Sequence, residues 1–367
     1  MITVAALRGY LLEEVLARLL YDSGYRLLVS ERQDPDALVR GKHGLLVRGR
    51  GADHQADVLG ELMLPTPFSL PLRIFVEAKF RERDRGSLLD VRNAHGVLHD
   101  VNEHYSSEGV RDIPLRRHHY RYALFSTSGF TRPAQRYALA QQISLVDLSG
   151  ADFGELRRAV TALAGDVRRL AGEADVRSFP LGQLRTAARL VLGTWTADDD
   201  LLRRGADQGA PRVEELARLA AQITPAIEER DMLPSGGLGA VLASLAAVAN
   251  QNLVLGFPAA PFVLVLRPSD PAALSRYVDR HGSDVRVDIR FASRRTVAGD
   301  WVIVPADGSR AFQLRFALPD LLAEWLLSED GAAAQRGRDA KAGLLSSIAV
   351  FQRGRLVRLL FEPPSRR

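Results

Sequence analysis

The chain has 367 residues, 46% hydrophobic and 25% charged, with 30 Gly and 18 Pro; this is the composition of a soluble folded protein and not of a disordered or fibrous one, and the length predicts two folding units. It contains no cysteine, which excludes disulfides, thiolate metal sites and a cysteine nucleophile, fits a reducing cytoplasm, and leaves oxygen or imidazole to hold any metal. The formal charge of +5, from 49 Lys+Arg against 44 Asp+Glu, is a mild excess that is compatible with nucleic acid without pointing to it.

Between residues 5 and 20 the apolar positions Leu12, Val15, Leu16, Leu19 and Leu20 recur at helical spacing, and Gly24 follows one turn later, which predicts a helix and its stop. Arg8, Glu13 and Glu14 interrupt this stretch, so it reads as neither a secretory signal nor a membrane span, and no membrane partner is expected. A strand is expected over 25–29. Residues 41–51 hold four glycines and basic residues and read as a loop; its Gly41-Lys42 pair is followed by His43 where a phosphate loop needs Ser or Thr, which argues against an ATPase in the chain. Residues 56–62 and 72–80 read as strands separated by a turn-rich segment. A helix is predicted where Val91, Ala94, Leu98, Val101 and Tyr105 step by three and four, a strand over 122–127, a helix from Pro133 to about Gln142, and a last short strand over 143–148.

A further amphipathic helix is predicted over 153–173, with a charged boundary after it. The second unit then starts near Phe179, with helices over 181–194 and 212–230 and the turn-rich LPSGGLG at 233–239. Beyond these, strands are expected at 261–267 and 285–291, a hairpin at 301–304 and 311–316, helices at 270–281 and 319–328, and a final strand pair around 347–361. The expected organisation is an α/β unit over 1–150, a helical linker over 151–176, and an α+β domain over 177–367 for recognition, assembly or regulation.

The chemistry concentrates in Asp57 and in Glu77-Ala78-Lys79 twenty residues later. Side chains alternate along a strand, so Arg73, Phe75, Glu77 and Lys79 share one side of the 72–80 segment. Two carboxylates on neighbouring strands make an oxygen site for Mg²⁺. A lysine on the same face can orient or deprotonate the attacking water and offset charge on a phosphorane. The chemistry implied is phosphodiester hydrolysis, although the same alternation of acid and base also fits a solvated strand face.

The blocks GYLLEEVLARLLYDSGYRLL, GRGADHQADVLGEL, LRIFVEAKF and LFSTSGFTRPAQRYALAQQISLVDL together resemble the PD-(D/E)XK nuclease superfamily, and within it the Mrr-type restriction-endonuclease domains. The likeness covers about residues 8–148. It implies a restriction-endonuclease-like mixed sheet flanked by helices, with Asp57 and Glu77 as metal ligands and Lys79 as the catalytic lysine. Ala56 stands where the superfamily name puts Pro, which affects the turn more than the ligand. The family's helix glutamate aligns with Glu13, which would join the metal site; Glu14 is the alternative on the same helix.

The resemblance further implies a cytoplasmic Mg²⁺-dependent deoxyribonuclease, with Mn²⁺ as a substitute, acting in bacterial restriction or antiphage defence. DNA, a homo-oligomeric copy, and a separate ATPase or defence-system subunit are the partners it implies. The competing readings are a nuclease-like sensor or binding protein working with a partner, and a ribonuclease. For the nucleic-acid contact the sequence offers Arg50, next to glycines, and Arg116, Arg117 and Arg121 in the RRHHYR run; a charged loop explains that run equally well. His95 and His99 have ligand spacing without an evident third ligand. The hydroxyls of Ser126, Thr127, Ser128 and Thr131 fit phosphate contact or helix capping, and His54 and Gln55 are candidates to support Asp57.

Overall fold

The computed structural model describes residues 2–42, 44–62, 69–105, 116–150, 153–173, 181–194, 244–245, 249, 253–260, 262–293, 300–318, 320–326, 342–352 and 354–361. The chain is mixed α/β and packs as two units: Met1–Arg18 with Ala151–Gln251, and Leu19–Gly150 with Asn252–Arg367. The helix expected over 212–230, the turn at 233–239 and the domain boundary after 173 lie outside the described residues. No helix among the described residues is long and apolar enough to cross a membrane.

The first unit is helical where it is described. Helix α1 (Val4–Asp22) buries Leu7, Leu11, Leu12, Val15 and Leu16 within it, the stripe that the spacing predicts. After the second unit's β1 (Tyr25–Leu27), β2 (Leu38–Arg40), β3 (Leu45–Arg48), β4 (Asp53–Gln55), β5 (Val58–Leu62), β6 (Leu72–Lys79), α2 (Leu88–Asn102), β7 (His119–Ser126), α3 (Arg132–Ala140) and β8 (Ser144–Asp147), the chain returns to the first unit with α4 (Gly154–Glu173) and α5 (Leu181–Leu192). Helix α5 buries Leu184, Ala188 and Leu192, every fourth residue, which leaves Arg185 and Arg189 together on the adjoining flank.

In the second unit a five-stranded sheet has the order β1-β5-β6-β7-β8. The pairs β1/β5 and β5/β6 are antiparallel, and β6/β7 and β7/β8 are parallel. Strand β6 is central and realises the predicted alternation. Phe75 packs in a core with Tyr120, Tyr122 and Leu124 of β7, Val91, Ala94 and Val101 of α2, and Ala134 and Ala138 of α3. The glycine-rich segment 41–51 is not all loop: β3 lies inside it and joins β2 and β4 in a three-stranded meander. Val47, fully buried, holds that strand against the core and outweighs the local glycine content.

The C-terminal part of the same unit holds the expected mixture of strands and helices, with the strands closed into a barrel that the sequence did not predict. Strands β9 (Val254–Pro258), β10 (Leu264–Pro268), β11 (Asp284–Ser293), β12 (Asp300–Pro305), β13 (Leu314–Ala317), β14 (Ser347–Gln352) and β15 (Arg355–Phe361) form a closed seven-stranded barrel, with helices α6 (Pro271–His281) and α7 (Asp320–Leu326) between strands. Its order is β10-β13-β12-β11-β15-β14-β9. Every neighbouring pair is antiparallel except β11 and β15, which run parallel. Alternate residues such as Val285, Val287 and Ile289, or Val357, Leu359 and Phe361, fill the interior, as period-two patterning requires. Strand β9 was not expected; its sequence VLGFP carries Gly and Pro, which mask a strand in a local reading. The barrel meets α3 of the sheet region where Gln135 accepts a hydrogen bond from Leu321 N at 3.2 Å and Arg132 pairs with Glu324.

Candidate active site on the central strand

Strand β5 faces β6 with Val58 opposite Val76, so Asp57, immediately before β5, arrives beside Glu77. Two bonds fix it there. Asp57 N donates to Val76 O at 3.2 Å, and Asp57 Oδ2 accepts from Ala78 N at 2.8 Å, so the aspartate brackets the backbone on either side of Glu77. Lys79 Nζ is ion-paired with Glu77 Oε1, the outcome that alternation along a strand dictates. The side chains of Lys79 and Glu77 are 31% and 25% exposed, enough for a substrate to reach both.

Tyr122 is a member of this cluster that the sequence reading did not single out. Its hydroxyl donates to Glu77 Oε2 at 2.7 Å, and its ring, buried on β7, stacks on Phe75 with centroids 4.9 Å apart. Burial above all, then the charge and hydrogen bond of Glu77, then the charge of Asp57, hold the phenol well above its ordinary pKa; it stays a donor. The parallel register sets Phe75 level with Tyr122 and lets the phenol reach Glu77, two residues further along β6. That register is not visible in the sequence.

Among the described residues no group of three or more carboxylates and histidines is arranged to hold a metal ion. The oxygen donors of this site are therefore the pair Asp57 and Glu77, a hard donor set of the kind that suits Mg²⁺ with water completing its shell. Glu13 and Glu14 lie in the first unit. Glu13 pairs with Arg185 Nη1 at 2.9 Å, and Glu14 with Arg185 Nε at 2.7 Å and Arg189 Nε at 3.0 Å. Both are buried, Glu14 to 1% exposure, so neither is an ordinary solvated helix carboxylate. Burial acts to raise the Glu14 pKa, and the charges and hydrogen bonds of Arg189 and Arg185 outweigh it and lower the pKa.

The remaining candidates divide by partner. Arg116 pairs with Glu103 at 3.5 Å and lies over the Tyr105 ring, Arg117 pairs with Asp34 and Asp36 at 3.0 and 3.2 Å, and Arg121 bonds Gln142 at 2.7 Å. These three arginines bind the protein to itself. Arg50 is exposed at the tip of a loop that wraps Asp100 of α2: Gly51 N and Ala52 N donate to its carboxylate at 2.9 and 3.1 Å, and His54 Nε2 lies 2.8 Å from it. His54 thus serves Asp100 rather than Asp57. The hydrogen bond of His54 is the main cause that lowers the Asp100 pKa, and the two loop amides add to it. A Cβ on Gly49 would stand 2.0 Å from Asp100 Oδ2, which explains a glycine there. His95 Nδ1 is 3.0 Å from the Tyr137 hydroxyl. Thr127 and Ser128 spend their hydroxyls on the backbone of residues 81 and 84.

No family model matches the chain, and no curated protein matches it. Among solved structures it is similar to a crystal structure described as a protein of unknown function, AF1548, at 18% identity and a TM-score of 0.30, over 59% of this chain and 99% of that one.

Proposed function

We propose that the protein is a metal-dependent endonuclease that hydrolyses DNA phosphodiester bonds, with a restriction-endonuclease-like region around the five-stranded sheet. The observation that carries this reading is the convergence of Asp57, Glu77 and Lys79 at one partly exposed end of β6. The carboxylates of Asp57 and Glu77 would hold Mg²⁺, or Mn²⁺ in its place, which when bound supplies Lewis-acid stabilisation of charge on the phosphate. Ala78 N fixes the Asp57 carboxylate and the Tyr122 hydroxyl fixes that of Glu77, so both are oriented before substrate arrives.

Lys79 carries three N–H donors, of which Glu77 takes one. The others are available to orient the attacking water and to bond a non-bridging phosphate oxygen as negative charge develops on it. Water oxygen forms the new bond to phosphorus, the bond from phosphorus to one sugar oxygen breaks, and that oxygen takes up a proton while the water loses one to solvent. Glu13 enters this reading through the family resemblance alone. So do the setting in bacterial restriction or antiphage defence, the cytoplasmic location, and a homo-oligomer or a separate ATPase or defence subunit as partner.

The test is cleavage of supercoiled plasmid with Mg²⁺, Mn²⁺ or EDTA by the full chain and by Asp57→Ala, Glu77→Ala and Lys79→Ala. Metal-dependent nicking that falls by two orders of magnitude or more in each variant, about the size expected for removing a group that acts on the transition state, with melting temperatures unchanged, supports the proposal. Cleavage unaffected by all three variants overturns the site. Cleavage of RNA but not of DNA replaces the substrate.

A further inference from the structure

We propose that the loop of residues 81–86, which leaves the Lys79 end of β6, is a nucleic-acid-gripping rim whose Arg83 and Arg85 fork onto backbone phosphates next to the scissile one. This rests on the nuclease reading and extends it to residues that the sequence did not nominate. The loop is not a free tether. Arg81 N donates to Thr127 Oγ1 at 2.9 Å and Thr127 Oγ1 donates back to Arg81 O at 2.8 Å; Ser128 Oγ donates to Asp84 O at 2.6 Å. Gly86 N bonds Gly129 O at 2.8 Å, and Thr131 N bonds Gly86 O at 2.9 Å. A Cβ on Gly86 would stand 2.4 Å from the Phe130 ring. The hydroxyl-rich turn at 126–131 therefore serves to hold this loop's backbone in place.

The loop's arginines differ in employment. Arg81 makes a two-pronged pair with Asp90 of α2 at 2.8 and 3.0 Å, which ties the loop's start to the first turn of the next helix. Glu77 is among the charges that raise the Arg81 pKa, after the Asp90 hydrogen bond that dominates it, so the loop lies within the field of the site. Arg83 and Arg85 are exposed, and neither has a hydrogen bond or ion pair to a described residue. A guanidinium on a fixed backbone loses only its own side-chain freedom on binding, and its planar fork matches two phosphate oxygens. Glu82 and Asp84 keep the loop's net charge low, so the grip comes from forked geometry and not from long-range attraction. Arg116, Arg117 and Arg121, already engaged, lack that availability.

The experiment measures binding apart from cutting. In the full chain carrying Lys79→Ala, affinity for a labelled DNA duplex in EDTA is followed by anisotropy across a salt series, with and without Arg83→Gln plus Arg85→Gln, and with Arg121→Gln as the control. Wild-type cleavage is assayed in parallel. The expected result is an affinity loss on the order of tenfold in the double variant and a salt slope smaller by about two, one for each phosphate contact removed, with Arg121→Gln leaving both unchanged. If the wild type cuts DNA while the double variant binds with the parent's affinity and slope, the rim is wrong and the nuclease stands. If the wild type neither binds nor cuts, both fall together.

Discussion

The two ends of β6 carry charged residues on the same face and put them to opposite uses. At the start of the strand Arg73, 2% exposed, lies between Asp34 at 2.7 Å and Glu61 at 2.9 Å and donates to the Tyr120 hydroxyl at 3.1 Å. Arg117 and Arg26 close the cluster from outside, on Asp34 and Glu61 respectively. Two and three same-face steps along, Glu77 and Lys79 form a pair that solvent reaches. A buried ion pair commits its members to the fold because losing one strands the others without water. A half-exposed pair costs little to open and is free to work on something else. What distinguishes the two ends of this strand is burial, and charge alone does not reveal it.

The largest expected contrast comes from cutting each end. Arg73→Met leaves Asp34 and Glu61 buried without their cation and is expected to cost about 3–5 kcal/mol of stability, read as a lower urea midpoint. Lys79→Ala is expected to cost less than about 1 kcal/mol while abolishing cleavage. Equal losses of stability from the two would break the contrast.

A pH series sharpens it next. Burial, and then the charge of Arg73, depress the His118 pKa from 6.5 to about 4, so its approaches to Asp34 and Glu61 at 3.8 and 3.6 Å are not ion pairs at neutral pH. The unfolded chain takes up this proton first. Stability is therefore full above about pH 6.5 and declines toward pH 4, by roughly 3 kcal/mol for a shift of this size. Asp34, whose burial is outweighed by Arg73 and Arg117 so that its pKa is lowered, extends the decline below its ordinary value of 3.8. Denaturation midpoints at several pH values check this, and His118→Gln should flatten the segment between pH 6.5 and 4.

Smaller effects probe the Lys79 end and the loop around Asp100. Tyr122→Phe removes the donor to Glu77 and is expected to cost about 1–2 kcal/mol and to raise the Mg²⁺ concentration needed for half-maximal cleavage. Gly49→Ala pushes on Asp100 and on the Ala52 carbonyl and is expected to cost about 1–3 kcal/mol, visible as faster amide exchange at Gly51 and Ala52 with cleavage unaffected.

The proximity of Asp57, Glu77 and Lys79 was legible because its logic is local: alternation puts Glu77 and Lys79 on one side, and Asp57 precedes the adjoining strand. The buried end was not, since Asp34, Glu61, Arg73 and Arg117 meet only through tertiary packing, and nothing marks Arg73 as different from Arg121. The RRHHYR run drew a phosphate reading because a sequence shows cations without the partners that engage them. Helices α2 and α3 follow their apolar spacing, whereas the barrel was invisible as a barrel: its closing parallel pair joins strands separated by more than sixty residues, and neither strand announces its neighbour. Glu13 and Glu14 could not be matched from the sequence to Arg185 and Arg189, more than 170 positions away.

That closing pair also sets an order on biosynthesis. Without the hairpin of β14 and β15, the remaining barrel strands form an open sheet in the order β10-β13-β12-β11 with β9 on the far side of β10, and both β9 and β11 present unpaired edges. A ribosome delivers these five strands before the hairpin, so until β14 and β15 follow, the nascent chain carries two adhesive borders. Both are sealed together when residue 361 emerges, and a stalled or truncated product would be the sticky one.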